Sequence, residues 1–397
     1  MHTLSRLLLL AAFFAAPTFA QSRKIGEVRV DVDANTIPVR VSANTPELNG
    51  LAQTAFNAHG RYKLVASGHA YDIKFTALAA TQVRVDITKG QAAAVVASQV
   101  VNGSTARNAL LRAADVAVEK TNGLNLKGFF TARMAFVVQR GNRGDIYVSD
   151  LFLGEAKQLT NDNSLVLAPR WAPDGSRVIY TSFFKTGAPD IFLLDPSTGR
   201  RETFASFKGM NSGARFSPSG SQVAMVLSGT GNTEIFVSDA QGRRPDRRTR
   251  SDAVKSSPAW SPDGRQIVFA MEPGPQLYVM PATGGAPRRL AAAGLGTYAA
   301  EPDWSRANPN KIACTVKVGG RYQIAVYNLS TGKGQVVSKA NFDGIEPNWL
   351  ADGRHLVYTA RDQSTSVLSI LDTETGNSRR ISPADRSAMQ AGIWNAP

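Results

Sequence analysis

An aromatic residue returns at an almost constant interval through the C-terminal two thirds of the chain. Consecutive members of the series are 44 or 45 residues apart. The series, termed the anchor residues, consists of Trp171, Phe216, Trp260, Trp304, Trp349 and Trp394. A fixed period of about 20–50 residues is the mark of a repeat architecture. We therefore expect a row of equivalent units rather than one irregular core.

Each unit repeats the same order of segments. A turn such as Pro173-Asp174-Gly175 follows the anchor, and two apolar segments such as 177–181 and 190–195 come next. Asp-Gly between apolar runs favours a hairpin, because both residues tolerate a positive φ. Four short strands per unit at this period are typical of a propeller blade. The repeats predict an all-β, six-bladed β-propeller.

The first and last units are incomplete in a complementary way. Residues 132–138 and 145–150 read as later strands of a blade without an anchor, and no strand follows Trp394. We expect residues 391–397 to supply the missing strand and close a ring that spans 128–397. Closure removes the exposed sheet edges that invite aggregation.

The preceding segment has a different pattern. Residues 27–33 and 37–41 alternate at period two, as strands do. An apolar face from Pro46 to His59, after a Thr45 cap, indicates a helix, and 104–120 indicates a second one. Residues 21–127 are therefore predicted to form a small α+β domain before the propeller.

The first twenty residues read as a targeting segment. Arg6 precedes an apolar run from Leu7 to Ala16, and small residues at Thr18 and Ala20 suit a cleavage site. The run is too short to span a bilayer, which needs about 20 residues. We expect a signal peptide at 1–20 and a mature protein in the periplasm, and we expect a monomer.

Composition and motif content argue against several classes of enzyme. A single cysteine, Cys314, excludes an internal disulfide framework and a cysteine-based zinc site. His59, His69 and His355 stand far apart, so a histidine-rich metal centre is not expected. The chain also lacks a Gly-x-Ser-x-Gly elbow and a phosphate-binding glycine loop. These observations argue against a serine hydrolase, a nucleotide-binding enzyme and a cysteine- or histidine-based metal centre, and no cofactor is expected.

The order of these segments resembles the TolB family of the Tol-Pal envelope system. The resemblance rests on the Trp-Ser-Pro-Asp-Gly repeats, the leader, the junction at 128–137 and the mature N-terminal sequence 28–32. It implies a scaffold without catalysis that supports outer-membrane integrity and cell division. It further implies that the propeller binds a Pal-like peptidoglycan-associated lipoprotein. The mature N-terminal segment, with Val28, Arg29, Val30 and Asp31, would be read by a TolA-like inner-membrane protein.

Residues just before each anchor are predicted to form the partner-binding surface. In a propeller the link between blades opens at the mouth of the central channel, and here the repeats diverge. Such variation on a fixed scaffold is where a binding surface is built. The candidates, which lie three to six positions before an anchor, are Met210, Lys255, Tyr298, Glu301, Asp343 and Glu346. In this alignment, Ala168, Gly213, Ser257 and Ala391 are the equivalents of Glu301 and Glu346.

Two interpretations remain open beside the scaffold. Glu301, Asp303, Asp343 and Glu346 are candidates to hold a metal in a periplasmic propeller that binds an anionic small molecule or glycan. Residues 243–250 carry five arginines, and the formal net charge of the chain is +14. Such a run binds acidic polymers or lipid head groups, or it protects a sheet edge by charge. Nucleic acid is not expected, since no aromatic residues interleave the run.

Overall fold

The computed structural model describes residues 25–28, 36–291 and 293–396. The predicted signal peptide at 1–20 and the segment with Arg29, Val30 and Asp31 lie outside these residues. The N-terminal unit consists of β1 (Ile37–Ala43), α1 (Pro46–Ala58), β2 (Tyr62–Leu64), β3 (Tyr71–Ala79), β4 (Gln82–Lys89), β5 (Ala94–Asn102) and α2 (Ala106–Thr121). Its strands form one sheet in the order β2-β1-β3-β4-β5. This is the predicted α+β arrangement.

Both helices begin where their caps place them. The Thr45 hydroxyl accepts from the Leu48 N–H, and the Thr105 hydroxyl accepts from the Asn108 N–H. Each cap satisfies one backbone donor that the first turn leaves free. The apolar faces of both helices pack on the sheet, as their spacing predicts. Among the described residues, neither helix is long and apolar enough to cross a membrane.

The rest of the described chain forms six four-stranded antiparallel sheets, which are the blades of a propeller. Blade 1 contains β6 (Arg133–Arg140), β7 (Arg143–Asp150) and β8 (Lys157–Gln158). Blade 2 contains β9 (Val166–Trp171), β10 (Val178–Ser182), β11 (Asp190–Leu194) and β12 (Arg201–Ala205). Blade 3 contains β13 (Asn211–Phe216), β14 (Gln222–Leu227), β15 (Glu234–Asp239) and β16 (Asp246–Arg247).

The remaining blades follow the same order from the inner to the outer strand. Blade 4 contains β17 (Lys255–Trp260), β18 (Gln266–Met271), β19 (Gln276–Pro281) and β20 (Arg288–Arg289). Blade 5 contains β21 (Ala299–Trp304), β22 (Lys311–Val318), β23 (Arg321–Asn328) and β24 (Lys333–Val336). Blade 6 contains β25 (Asp343–Trp349), β26 (His355–Arg361), β27 (Ser366–Asp372) and β28 (Ser378–Arg380). These blades confirm the predicted fold class.

The C-terminal strand β29 (Ser387–Trp394) is the inner strand of blade 1 and pairs antiparallel with β6. It begins four residues earlier than the predicted segment 391–397 and ends at Trp394. Its register also corrects one detail of the repeat. Ile393 stands opposite Met134, where the other blades place their anchor, and Trp394 stands one position further along. The Trp394 ring instead packs over Gly175, which has no side chain to meet it.

The other anchors pack between neighbouring blades, as predicted. Trp171, Phe216, Trp260, Trp304 and Trp349 are all buried within apolar clusters that join adjacent sheets. Each cluster contains aliphatic residues from two successive blades. These five anchors are therefore core residues.

The N-terminal unit lies against blades 1 and 6, at the end of the ring where the inner strands finish. Arg107 of α2 forms an ion pair with Asp150 at the end of β7. The Asn395 amide donates to the Gly128 carbonyl across 2.6 Å. Asp115 accepts three hydrogen bonds from the junction residues Phe130 and Thr131. The described part of this unit thus covers one end of the propeller near these two blades.

Candidate functional site

Each inner strand is interrupted by a β-bulge at the same height of the central channel. Every inner pairing shifts register at one point. The residue at the bulge has a positive φ, between 49° and 64°, in all six blades. These six residues are Ala168, Gly213, Ser257, Glu301, Glu346 and Gln390. A positive φ strains any residue except glycine, and such strain concentrates at functional positions.

The position of the bulge in β29 shows that one predicted equivalence between blades is wrong. Ala391 was aligned with Glu301 and Glu346 because it lies three positions before Trp394. The structure gives that place to Gln390, whose φ is 58°, because β29 carries its bulge one residue earlier. Ala391 is instead buried in the core. Sequence spacing alone misses this shift, since Trp394 fits the interval but does not occupy the anchor register.

Long side chains at the bulges of blades 5, 6 and 1 link these blades to their neighbours. The Glu301 carboxylate accepts from the backbone N–H of Glu346 at 3.0 Å. The Gln390 amide donates to the Glu346 carboxylate at 2.7 Å, and its oxygen accepts from the Ala168 N–H at 2.9 Å. Thr359 also donates to Glu346. These bonds hold the acidic half of the channel in a fixed arrangement.

The other half of the channel is open because its bulge residues are small. Ala168, Gly213 and Ser257 leave a cavity of about 260 Å³, whose walls include Met210 and Val254. The cavity reaches across to Glu301, Glu346 and Gln390. We call this opening, where the inner strands begin, the start mouth. It offers a concave surface with one apolar wall and one acidic wall.

One carboxyl group of the acidic wall, that of Glu346, has a raised pKa. Burial, and next the nearby charge of Glu301, raises the pKa of Glu346 to about 7. The Glu346 carboxyl is therefore partly protonated near neutral pH, and it gains negative charge as the pH rises. The start mouth changes charge within the range in which proteins work.

Two arginines and an aspartate divide the channel. Arg215 of blade 3 donates to Asp303 of blade 5 across 2.6 Å, and the second Asp303 oxygen accepts from the Trp349 N–H. Arg170 lies beside them, and its pKa is lowered to about 9 by burial and by the charge of Arg215. Beyond this layer a second cavity of about 430 Å³ opens at the anchor end, which we call the anchor mouth. Asp303, one of the predicted metal-ligand candidates, is thus ion-paired with Arg215.

The structure brings four of the six predicted site residues to the start mouth. Met210, Lys255, Glu301 and Glu346 line its cavity. Lys255, however, is fully buried, and its ammonium bonds to the Glu234 carboxylate at 2.9 Å and to the Ser251 carbonyl. The charge of Lys255 is therefore held in an ion pair inside the protein.

The other two predicted residues form part of the rim between blades 5 and 6. The Tyr298 ring contacts the Tyr322 ring edge-to-face with centroids 5.2 Å apart. Asp343 accepts from the Tyr322 N–H and from Arg361. Arg361 in turn lies over the Tyr322 ring. Tyr322 and Arg361, which sequence reasoning missed, connect Tyr298 to Asp343.

The arginines at 243–250 fall into two groups: two form hydrogen bonds to neighbouring residues, and three are exposed. Arg247 is held by Glu234, and Arg248 is held by Asp246 and by the Thr283 carbonyl of blade 4. Arg243, Arg244 and Arg250 are exposed. The run lies in and around the outer strand β16, so part of it has a structural role. The acidic turn residues are also explained locally, because Asp174 and Asp263 bond to neighbouring residues of their own turns.

A separate cluster of ionisable groups joins the N-terminal unit to blade 6. His59, Asp352 and His355 are buried there together, and the rings of the two histidines lie 4.6 Å apart. Burial lowers the pKa of His59 to about 3. Burial would also lower the pKa of His355, but the Asp352 carboxylate outweighs it and raises that pKa. His59 and His355, which stand far apart in sequence, are thus brought together by the packing of the two domains.

The described part of the N-terminal segment lies on the outer strand of blade 6. Val28 and Ser378 exchange two backbone hydrogen bonds, of 3.0 and 2.8 Å. The Ser378 hydroxyl donates to the Gly26 carbonyl, and Ile25 is buried in the cluster between blades 5 and 6. Of the four predicted partner-binding residues of this segment, Val28 is thus paired within the protein.

Comparison with known proteins agrees with this architecture. A family model described as the TolB β-propeller domain matches residues 120–396. The Tol-Pal system protein TolB of Bordetella pertussis (strain Tohama I) is 32% identical over 175 residues, which cover 43% of this chain and 39% of that protein. The protein of the same name from Bordetella bronchiseptica matches to the same extent. The match therefore spans about two fifths of the length of these relatives.

Solved structures extend the likeness to the whole fold. The crystal structure of TolB from Acinetobacter baumannii has a TM-score of 0.78 at 23% identity and covers 93% of this chain and 98% of that one. A putative TolB from Agrobacterium tumefaciens has a TM-score of 0.52 at 17% identity and covers 68% of this chain. At such identities the similarity establishes the architecture, including an N-terminal unit before a propeller.

Proposed function

The chain belongs to the TolB β-propeller family, and from that premise we propose that it is a non-catalytic scaffold of a Tol-Pal-like envelope system in the periplasm. In this role it binds a Pal-like peptidoglycan-associated lipoprotein through the propeller. The names of the Bordetella relatives as Tol-Pal system proteins support this assignment. The scaffold would support outer-membrane integrity and cell division.

The open half of the start mouth is the observation that carries the binding proposal. Ala168, Gly213 and Ser257 leave space there, and Glu301 and Glu346 stand fixed opposite them. A cavity of about 260 Å³ accommodates a few side chains of a partner's loop. The described part of the N-terminal unit contacts the other end of the ring, which supports access of a folded partner to the start mouth.

The second proposed contact is with a TolA-like inner-membrane protein through the segment 28–31. Val28 adds to the outer edge of blade 6 by backbone pairing. The period-two alternation of the sequence from 27 to 33 suits recognition by strand addition. The two contacts use different parts of the molecule, so one chain can link two partners.

A binding measurement tests the lipoprotein contact. Residues 21–397 are titrated by calorimetry with the periplasmic domain of the Pal-like lipoprotein from the same organism. We expect Met210→Ala and Tyr298→Ala to weaken binding about tenfold or more, as central interface residues do. Arg306→Ala, at the anchor mouth, is the matched control and should leave the affinity unchanged.

Three results would contradict the proposal. Unchanged affinity in both mouth variants would place the contact elsewhere, and loss in Arg306→Ala would move it to the anchor mouth. A chain that ignores the lipoprotein but melts higher with an anionic sugar would instead favour a ligand-binding propeller. For the TolA contact, a synthetic peptide of residues 21–33 should bind the TolA-like C-terminal domain, and a scrambled peptide should not.

A further inference from the structure

We propose that His59, Asp352 and His355 form a zinc site that ties the N-terminal unit to blade 6. One potential ligand atom from each residue lies within 4.8 Å of the others. Two imidazole nitrogens and one carboxylate oxygen form a donor set that suits Zn²⁺ and not the all-oxygen ions Ca²⁺ and Mg²⁺. This site is independent of the proposed partner binding.

The strongest sign of a missing ligand is the His59 ring. Neither of its nitrogens has a hydrogen-bond partner, although the residue is completely buried. A buried polar group without a partner costs about 1–3 kcal/mol, and a metal ion bound to one of these nitrogens would supply the missing interaction. The ring is in contact with Phe129 and with His355, so it is held in a fixed place next to the other two residues.

His355 is oriented as a zinc ligand usually is. Its Nε2 faces the carbonyl oxygen of His59, to which an Nε2–H donates. Its Nδ1 points at Asp352 Oδ2, 2.5 Å away. Metal-binding histidines commonly donate their second ring N–H to a backbone carbonyl or carboxylate, which fixes the tautomer. With Nε2 protonated in this way, the Nδ1 lone pair is available to a metal ion.

The two carboxylate oxygens of Asp352 have different hydrogen-bond partners. Oδ1 accepts from the backbone N–H groups of Arg354 and His355, at 3.1 and 3.0 Å. Within the described chain, the hydrogen-bond partner of Oδ2 is the His355 ring. Binding zinc therefore displaces one proton from between His355 Nδ1 and Asp352 Oδ2, and the backbone bonds of Oδ1 remain.

A cavity approaches the cluster at Asp352, and the two histidines lie deeper in the protein. A cavity of about 510 Å³ between the two domains is lined by Asp352 and Gly353 on one side and by Leu124 and Leu126 on the other. Four-coordinate zinc with three protein ligands takes water as the fourth, and this cavity would supply it. The neighbouring Arg354 is neutralised by its two-point ion pair with Asp372, so its charge does not oppose the ion.

The equivalent turns of other blades explain why the site is confined to blade 6. Arg177 and Gln266 occupy the position of His355 and are partly or fully exposed there. Blade 6 is where α1 ends at His59, so its turn is covered and its polar residues are buried. Within the described chain, His355 therefore lies at a turn that the N-terminal unit covers, and that unit supplies His59 as the second histidine.

The test uses the full mature chain, freed of metal with EDTA and titrated with ZnCl₂. We expect one zinc per chain and a rise in melting temperature of about 5 °C at saturation. With Co²⁺ the chain should show the visible absorption of a tetrahedral site. His59→Phe keeps the ring packing and removes both nitrogens, and Asp352→Asn keeps the backbone bonds. Each should lower zinc affinity about 100-fold and abolish the cobalt absorption.

His69→Gln, which removes a histidine outside the cluster, is the matched control and should bind zinc like the unmodified chain. Folding is checked independently, because His59→Phe without metal should melt no lower than the unmodified apo chain. Failure of the unmodified chain to bind zinc would overturn the proposal. Equal binding by His59→Phe and Asp352→Asn would overturn it too, since zinc would then occupy another place.

Discussion

Glu346 should make the stability of the propeller depend on pH. Its pKa is raised from the ordinary 4.5 to about 7, first by burial and second by Glu301. Between these two values the folded chain holds a proton that the unfolded chain releases. The free energy of unfolding therefore falls as pH rises through this window. The Glu346→Gln variant, which mimics the neutral carboxyl, removes this dependence.

The magnitude follows from the size of the shift. A shift from 4.5 to about 7 corresponds to roughly 3 kcal/mol at about 1.4 kcal/mol per pKa unit. The side chain is half-buried at the channel wall, where water screens its charge, so we expect about 1–2 kcal/mol. Glu346→Gln should therefore gain about 1–2 kcal/mol relative to the unmodified chain between about pH 5 and pH 8.

Urea unfolding followed by tryptophan fluorescence measures this difference. Profiles are recorded for the unmodified chain, for Glu346→Gln and for the control Glu202→Gln on the exposed face of β12. The control should follow the unmodified chain at every pH. If the Glu346→Gln curve runs parallel to the unmodified curve, Glu346 is ionised in the folded state throughout, and the reasoning from burial is refuted.

Three further predictions concern the ring. Removing residues 391–397 deletes the pairing of Gly392 to Trp394 with β6, so melting by circular dichroism should occur at a lower temperature or with aggregation; an unchanged curve would exclude closure by β29. Ser257→Gly should stabilise by about 1 kcal/mol because Ser257 has a φ of 53°, whereas Ser256→Gly in the same strand should destabilise by about 0.5–1 kcal/mol; equal effects would rule out strain at the bulge. Asp303→Ala should cost about 3 kcal/mol because Arg215 and the Trp349 N–H both lose their acceptor, while Asp246→Ala at an exposed pair should cost less than about 0.5 kcal/mol; similar losses would show that the channel pair is solvated.

The fold was predictable because its signals are local and repeated. The anchor spacing, the Asp-Gly turns and the Thr45 cap each reflect contacts within about 45 residues, and the structure confirms the blades and α1. Repetition supports the assignment, since an error in one unit is corrected by the others. The α+β unit was predictable from its two periodicities for the same reason.

The candidate site was harder to predict from the sequence because it depends on contacts between distant segments. Gln390 was missed because a bulge shifts by one residue without changing the spacing of the tryptophans. Lys255 looked available because its partner Glu234 lies in a different blade, at the start of β15 in blade 3. The proximity of His59 to His355 arises from domain packing across 296 positions of sequence. None of these contacts leaves a periodic pattern in the chain.

The closing strand has a consequence for how the molecule is made. Blade 1 receives its inner strand from the last residues of the chain, and the Asn395 amide holds Gly128 across 267 positions of sequence. Contacts of such separation form slowly, because a long loop must close before they stabilise anything. During synthesis, β6 waits without its inner neighbour until the final residues emerge. If the chain is exported as proposed, an unfinished ring suits it, since a polypeptide that cannot complete its fold early stays available for threading through a membrane channel.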